Sequence, residues 1–131
     1  AFDSLLFSLL AELRQYARVP LATTTHKLRF DAVVDYLRAH LSRRLSLDEL
    51  AAVAGLSPFH FLRCFQREYH VTPQQMLMAL RLLEAKRLLA SGEAPALAAA
   101  ATGLSDQAHL THAFARRYGV TPARYQRQLR D

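Results

Sequence analysis

The stretch "GLSDQAHLTHAFARRYGVTP", residues 103–122, repeats an earlier one, "GLSPFHFLRCFQREYHVTP", residues 55–73. Both begin Gly-Leu-Ser, pass through an apolar residue and a Phe to a Tyr, and close on Val-Thr-Pro. From Phe59 to Pro73 the offset is constant. Phe61 pairs with Leu110, Phe65 with Phe114, Tyr69 with Tyr118, and Thr72-Pro73 with Thr121-Pro122. Residues 61, 65 and 69 fall on one face of a helix, as do 110, 114 and 118. The pattern predicts two equivalent helices, each with one buried face. Upstream the register shifts by one, and Ala51 pairs with Ala99 and Gly55 with Gly103. A short helix, a Gly four residues after a small Ala, then a capped second helix is the helix-turn-helix pattern. The Ala lets the two helices cross closely, and the Gly serves the turn.

Outside the repeat the chain also reads as helical. It has 131 residues, 51% of them hydrophobic, enough for one small domain or for two small lobes with real cores. No stretch shows sustained alternation, so the fold class is all-α: two helix-turn-helix lobes joined by a long connecting helix, plus an N-terminal amphipathic helix. Ser46-Leu47-Asp48-Glu49 and Thr72-Pro73-Gln74-Gln75 are capping boxes, and Ser57-Pro58, Ser105-Asp106 and Thr121-Pro122 are further helix starts. Gly92 and Gly119 are predicted helix stops, and His70 occupies the slot of Gly119, which calls for positive φ. These signals place helices near 2–18, 31–41, 47–54, 58–69, 73–90, 96–102, 106–118 and 122–129. Residues 19–30, with a Pro and three successive Thr, read as a linker, and residues 31–131 as one domain holding helix-turn-helix units near 45–66 and 95–118. The helix between the two copies belongs to neither. At about 18 residues it spans ~27 Å, against ~34 Å for one turn of DNA.

In "AFDSLLFSLLAELRQYAR", Phe2, Leu6, Leu9, Leu13 and Tyr16 recur at intervals of 4, 3, 4 and 3. That is a short coiled-coil seam. Packing against the rest of a domain is the competing reading. The apolar start has no basic leader, and no run reaches the ~18 residues that cross a bilayer. With the first residue Ala, residues 1–18 read as the end of a longer protein's regulatory domain, with homodimerisation through residues 2–16.

A single cysteine, Cys64, excludes an internal disulfide framework and suits the cytoplasm. It reads as a small core residue beside the inward face. The net charge of +6 favours an anionic partner. There is no Gly-rich phosphate loop, nucleophile motif or catalytic pair, so an enzyme is not expected. His109 and His112 lie one turn apart, but no further ligands follow, so neither a metal nor another cofactor is expected. His109 instead reads as holding a structural hydrogen bond near the turn.

With 61, 65 and 69 inward, the opposite face of the first recognition helix shows Phe59, Leu62, Arg63, Gln66 and Arg67. Arg63 can grip guanine O6 and N7 together, and Phe59 and Leu62 suit thymine methyls. Core packing is the alternative for these two apolar residues. Arg67, a turn further on, suits phosphate. The second recognition helix shows Gln107, Ala108, Thr111 and His112, then Ala115 and Arg116. Gln107 can pair with adenine, Thr111 with base or phosphate, and Arg116 repeats Arg67. A solvated face is the alternative for both arginines.

With these motifs in view, the chain resembles the AraC/XylS transcription regulators over residues 31 to about 129. "GLSDQAHLTHAFARRYGVTPARYQ" is similar to the family's second unit, and "RLLEAKRLLASG" looks like its connecting helix. The resemblance implies a seven-helix, two-lobed domain that binds asymmetric double-stranded DNA sites as one unit. It implies a bacterial transcription regulator, activator or repressor, with RNA polymerase as a partner, and a small-molecule effector acting only through an N-terminal domain. His112 stands where the family usually has Arg, and Ala108 where Ser is common. Pro95 and Ala98 stand opposite Leu47 and Leu50, which predicts a shallower second core. A basic helical protein-interaction module without sequence-specific DNA binding is the alternative function.

Overall fold

The computed structural model describes residues 29–130, and among these the regular structure is helical. The predicted helix over 2–18, its dimerisation seam and residues 19–28 of the predicted linker lie outside the described residues. A helix over residues 29–39 comes first (α1). It is followed by α2 (Leu47–Ala54), α3 (Pro58–Tyr69), α4 (Pro73–Ala90), α5 (Pro95–Ala101), α6 (Gln107–Tyr118) and α7 (Pro122–Arg130). No helix of the described residues is long and apolar enough to cross a membrane.

The helix starts follow local chemistry. Thr72 Oγ1 accepts from the Gln75 amide at 3.0 Å while Gln75 Oε1 accepts from the Thr72 amide at 2.8 Å, a complete capping box. Ser57 accepts from the His60 amide at 3.3 Å, Asp106 from the His109 amide at 2.7 Å and Thr121 from the Arg124 amide at 3.2 Å. The box at Ser46 is only half made. Ser46 Oγ caps the Glu49 amide at 3.1 Å, but the Glu49 carboxylate turns instead to Arg43 and to the Tyr36 hydroxyl. An arginine fork gives a carboxylate a stronger, charge-assisted partner than a backbone amide does.

Two cores form. The first packs Phe30, Val33 and Leu37 of α1 with Leu50 and Ala51 of α2, Phe61, Cys64 and Phe65 of α3, and Leu77 of α4. Phe30 lies 5.9 Å from the Phe65 ring, nearly edge-on, and 6.1 Å from Tyr69. Residues 29 and 30, assigned to the linker by sequence, therefore open α1, because Phe30 is the first member of its buried stripe. The second core packs Leu82, Ala85 and Leu89 of α4 with Ala98 and Ala99 of α5, Leu104, and Leu110 and Phe114 of α6. Three of its buried members are alanines, and Leu97 of α5 stands 58% exposed. The second core is the smaller one, as the replacement of Leu50 by Ala98 predicts.

The connecting helix does not stand outside the repeat. Phe30, Val33 and Leu37 have the same spacing as Leu82, Ala85 and Leu89, and both sets are buried. The C-terminal half of α4 thus plays in the second lobe the part of α1 in the first. Its N-terminal half, opened by Thr72-Pro73, matches α7, opened by Thr121-Pro122. One helix serves as the last of one lobe and the first of the next.

His70 ends α3 in the left-handed region at φ 63°, in the place that Gly119 takes after α6 at φ 82°. A side chain there clashes with the following carbonyl, so His70→Gly should raise stability by about 1 kcal/mol, measured by urea unfolding. The Arg43 guanidinium and then the Tyr36 hydroxyl hold the Glu49 carboxyl down to about 2. Its stabilising effect is present above the ordinary carboxyl range near 4.5 and is lost as pH falls through about 2. Glu49→Gln should therefore melt below wild type at pH 7, and the gap should close progressively below about pH 4.5.

Candidate nucleic-acid interface

Each second helix of a pair, α3 and α6, buries one face and leaves the other in solvent. On α3, Phe61, Cys64 and Phe65 are buried, whereas Phe59, Arg63, Gln66 and Arg67 are exposed. Leu62 is half-buried at the edge of this face. The core reading for Phe59 does not hold: the ring is 70% exposed. It stacks with Arg63, whose guanidinium carbon stands 5.5 Å from the ring centroid, one turn along the same helix. The pair presents a flat cation and an aromatic edge together at the start of α3.

On α6, Gln107, Ala108, His112 and Arg116 are exposed and Thr111 and Ala115 are half-buried, while Leu110 and Phe114 close the core. Ten side chains picked out by sequence thus lie on two outward faces, with none buried. Register sets the two faces side by side: Phe59, Arg63, Gln66 and Arg67 correspond to Ala108, His112, Ala115 and Arg116. Only the last position keeps its residue type. The second face has the same geometry with shorter reach.

His112 and Arg116 also border an open groove beside α4, lined by Met78, Leu82, His109 and Arg117. His109 is engaged structurally. Its Nδ1 lies 3.1 Å from Ser105 Oγ and within 3.4 Å of the Ser105 amide, which fixes the turn before α6. Among the described residues, no group of three His, Cys, Asp or Glu side chains converges as a metal site would require.

A second set of residues, not singled out by the sequence pattern, ties α4 and α7 to neighbouring stretches of backbone. Arg81, half-buried in the middle of α4, donates from Nε to the Leu41 carbonyl at 2.9 Å and from its terminal nitrogen to the Arg43 carbonyl at 3.0 Å. Burial lowers the pKa of this guanidinium. Gln74 donates to the Leu45 carbonyl at 3.2 Å. In the second lobe Gln126 of α7 donates to the carbonyls of Leu89 and Glu93, at 2.9 and 2.7 Å. Polar residues on an otherwise apolar helix face were the available signal.

The comparisons with known proteins agree with this geometry. Residues 50–128 match a family described as a helix-turn-helix domain. A probable transcriptional regulator of Photobacterium leiognathi, LumQ, is 35% identical over 101 residues, covering 76% of this chain and 41% of that protein. The MmsAB operon regulatory protein of Pseudomonas aeruginosa is 33% identical over 105 residues, 79% of this chain and 34% of its own. The chain therefore spans well under half the length of these relatives. Among solved structures, the DNA-binding domain of AdpA in complex with a target DNA superposes with a TM-score of 0.70 at 31% identity, covering 75% of this chain and 89% of that one. An AraC-type regulator from Chromobacterium violaceum gives a TM-score of 0.74 at 23% identity, over 79% of this chain and 93% of that one, a likeness of fold.

Exposure separates the two aromatic positions of α3. Phe59→Ala, which removes only the exposed stacking with Arg63, should change stability by no more than about 1 kcal/mol. Phe61→Ala, which empties the first core, should cost about 3–5 kcal/mol in denaturant unfolding.

Proposed function

The chain belongs to the helix-turn-helix family of AraC-type transcription regulators, and from that premise we propose that it binds double-stranded DNA with α3 and α6 in neighbouring major grooves and so regulates transcription. The observation that carries this reading is the pair of outward faces at one repeat register, neither with a buried side chain among the ten picked out and both closed by an exposed arginine, Arg67 and Arg116. α4, at 18 residues, spans about 27 Å, comparable with the ~34 Å of one duplex turn.

The roles divide by reach. Arg63 reads a guanine with both arms, held by Phe59, whose exposed edge meets a thymine methyl alongside Leu62. Gln66 and Gln107 are the amide readers, with Thr111 and His112 making shorter contacts from α6. Arg67 and Arg116 grip phosphates and set register. With Ala108 and Ala115 in place of Phe59 and Gln66, α6 supplies position more than sequence readout, and α3 carries most of the specificity. The domain, expected from residue 31, takes in residues 29 and 30 as well, since Phe30 belongs to its first core, and its helix-turn-helix units lie near 45–66 and 95–118. Effector binding and dimerisation are assigned to segments other than 29–130, and RNA polymerase is the partner through which DNA binding becomes regulation.

Selection of bound duplexes from a random library, followed by titration of the preferred site, tests the reading. Affinity should fall steeply with salt, since each neutralised phosphate releases counterions. Arg63→Ala should cost about 1–3 kcal/mol and relax preference at one base pair, whereas Arg67→Ala should weaken all sequences alike and reduce the salt slope by about 1. Recovery of no preferred sequence, or equal losses on every sequence for both variants, would overturn the assignment.

A further inference from the structure

The two lobes are joined at a second place besides α4. The first lobe carries a longer connection into its helix-turn-helix: Leu50 follows Leu37 by 13 positions, whereas Ala98 follows Leu89 by 9. The additional length is in the stretch 40–46, which α4 grips through Arg81 and Gln74. The second lobe reaches the same stretch from the other side. Gly103, in the turn that leads into α6, stands at φ 78° with its backbone against residues 41 and 42. A methyl group on it would lie 2.5 Å from the Leu41 carbonyl oxygen, the atom that accepts from Arg81 Nε. The repeat mate Gly55 has open space at the equivalent point.

Leu41 O is therefore enclosed between the α4 fork and the α6 turn. The chain of contacts continues into the first lobe, because Arg43, whose carbonyl takes the second arm of Arg81, sends its own side chain to Glu49 of α2 and to Tyr36 of α1. A single shared helix still bends and twists slightly along its length. A second contact away from its axis removes the remaining freedom between the lobes.

We propose that Arg81, with Gly103 as its steric counterpart, is the positioning residue that fixes the spacing and rotation between the two recognition helices, and hence the spacing of half-sites that the protein accepts. The proposal rests on the two-groove reading above. A guanidinium holds two carbonyls two residues apart in one plane; a Lys supplies a single rotatable ammonium and a Met none. Rigid coupling of two binding modules gives high effective concentration at one span and a sharp loss elsewhere, whereas loose coupling lowers the maximum and broadens it.

The full chain and its Arg81→Met, Arg81→Lys and Gly103→Ala variants are titrated by fluorescence anisotropy with the selected duplex and with duplexes whose spacer is one or two base pairs longer or shorter. A duplex retaining only the half-site read by α3 serves as control, and far-UV circular dichroism monitors folding. Wild type should lose about tenfold or more for one base pair, a change of ~3.4 Å and roughly 35°. Arg81→Met should bind the best duplex about tenfold more weakly, lose less than about threefold per base pair, and bind the single half-site as wild type does. Arg81→Lys should fall between them, and it decides the matter should Arg81→Met fail to fold; Gly103→Ala, if folded, should shift the preferred spacer. Folded Arg81 variants that keep the wild-type spacing profile overturn the brace alone. A wild-type protein indifferent to spacer length overturns the two-groove reading and the brace with it.

Discussion

The structure depends on one helix being buried twice. Leu77 of α4 closes the first core, and Leu82, Ala85 and Leu89 build the second. Apolar side chains cannot be withdrawn from either without exposing surface that costs about 25 cal/mol per Å². So long as both cores stay packed, α4 cannot rotate about its own axis, and each helix pair is held to its own half of the rod. A duplicated unit that shares a helix in this way needs no flexible linker, and the outward faces of α3 and α6 inherit the stiffness of the rod between them.

The copies have diverged around this common frame. The first core holds an aromatic cluster of Phe30, Phe61, Phe65 and Tyr69. The second relies on Phe114 with Tyr118 and Tyr125, capped by Lys86, whose ammonium lies 4.7 Å from the Tyr118 ring centre. Alanines fill much of the remainder. α5 also lacks a side-chain cap, and Thr102 at its end spends its buried hydroxyl on the Ala98 carbonyl at 2.7 Å. Fewer buried methylenes mean a smaller hydrophobic contribution from the second lobe, and α7, tied back by Gln126 to the end of α4, offsets part of the difference.

Local signals account for what the sequence disclosed. Where a Ser or Thr oxygen captures a free amide, as at Ser46, Ser57 and Thr72, the helix begins where the sequence places it, and at Asp106 it begins one residue later because the aspartate is the cap rather than the first helical residue. α1 and α5, with no such group identified in advance, start two residues and one residue earlier than expected. The outward faces were legible because a 3.6-residue period separates Phe61 and Phe65 from Arg63 and Arg67. The Arg81 fork was not, since its partners are carbonyls 38 and 40 residues distant, and a carbonyl carries no residue identity. Gly103 reads in sequence like Gly55; only the packing of a second lobe distinguishes a glycine needed for its turn from one needed for its missing methyl. The shared role of α4 escaped for a related reason. Its buried triplet matches that of α1 in spacing but at another offset than the rest of the repeat.

The exposed Phe59 ring is the feature hardest to explain by folding. A large apolar side chain 70% exposed adds little to the core of the isolated protein, yet Arg63 stacks 5.5 Å from its ring centre. Such stacking is worth about 0.5–1 kcal/mol at an exposed site, enough to bias the arginine toward one orientation before any ligand arrives. A free arginine surrenders on the order of 2 kcal/mol of rotamer freedom when it is fixed. Holding it in advance would therefore lower the cost of the bidentate contact proposed for Arg63 by a useful fraction. α6 has Ala108 and His112 at the same positions, with neither the ring nor the fork. The asymmetry between the two lobes thus extends from their cores to their surfaces: the better-packed lobe also carries the better-ordered probe.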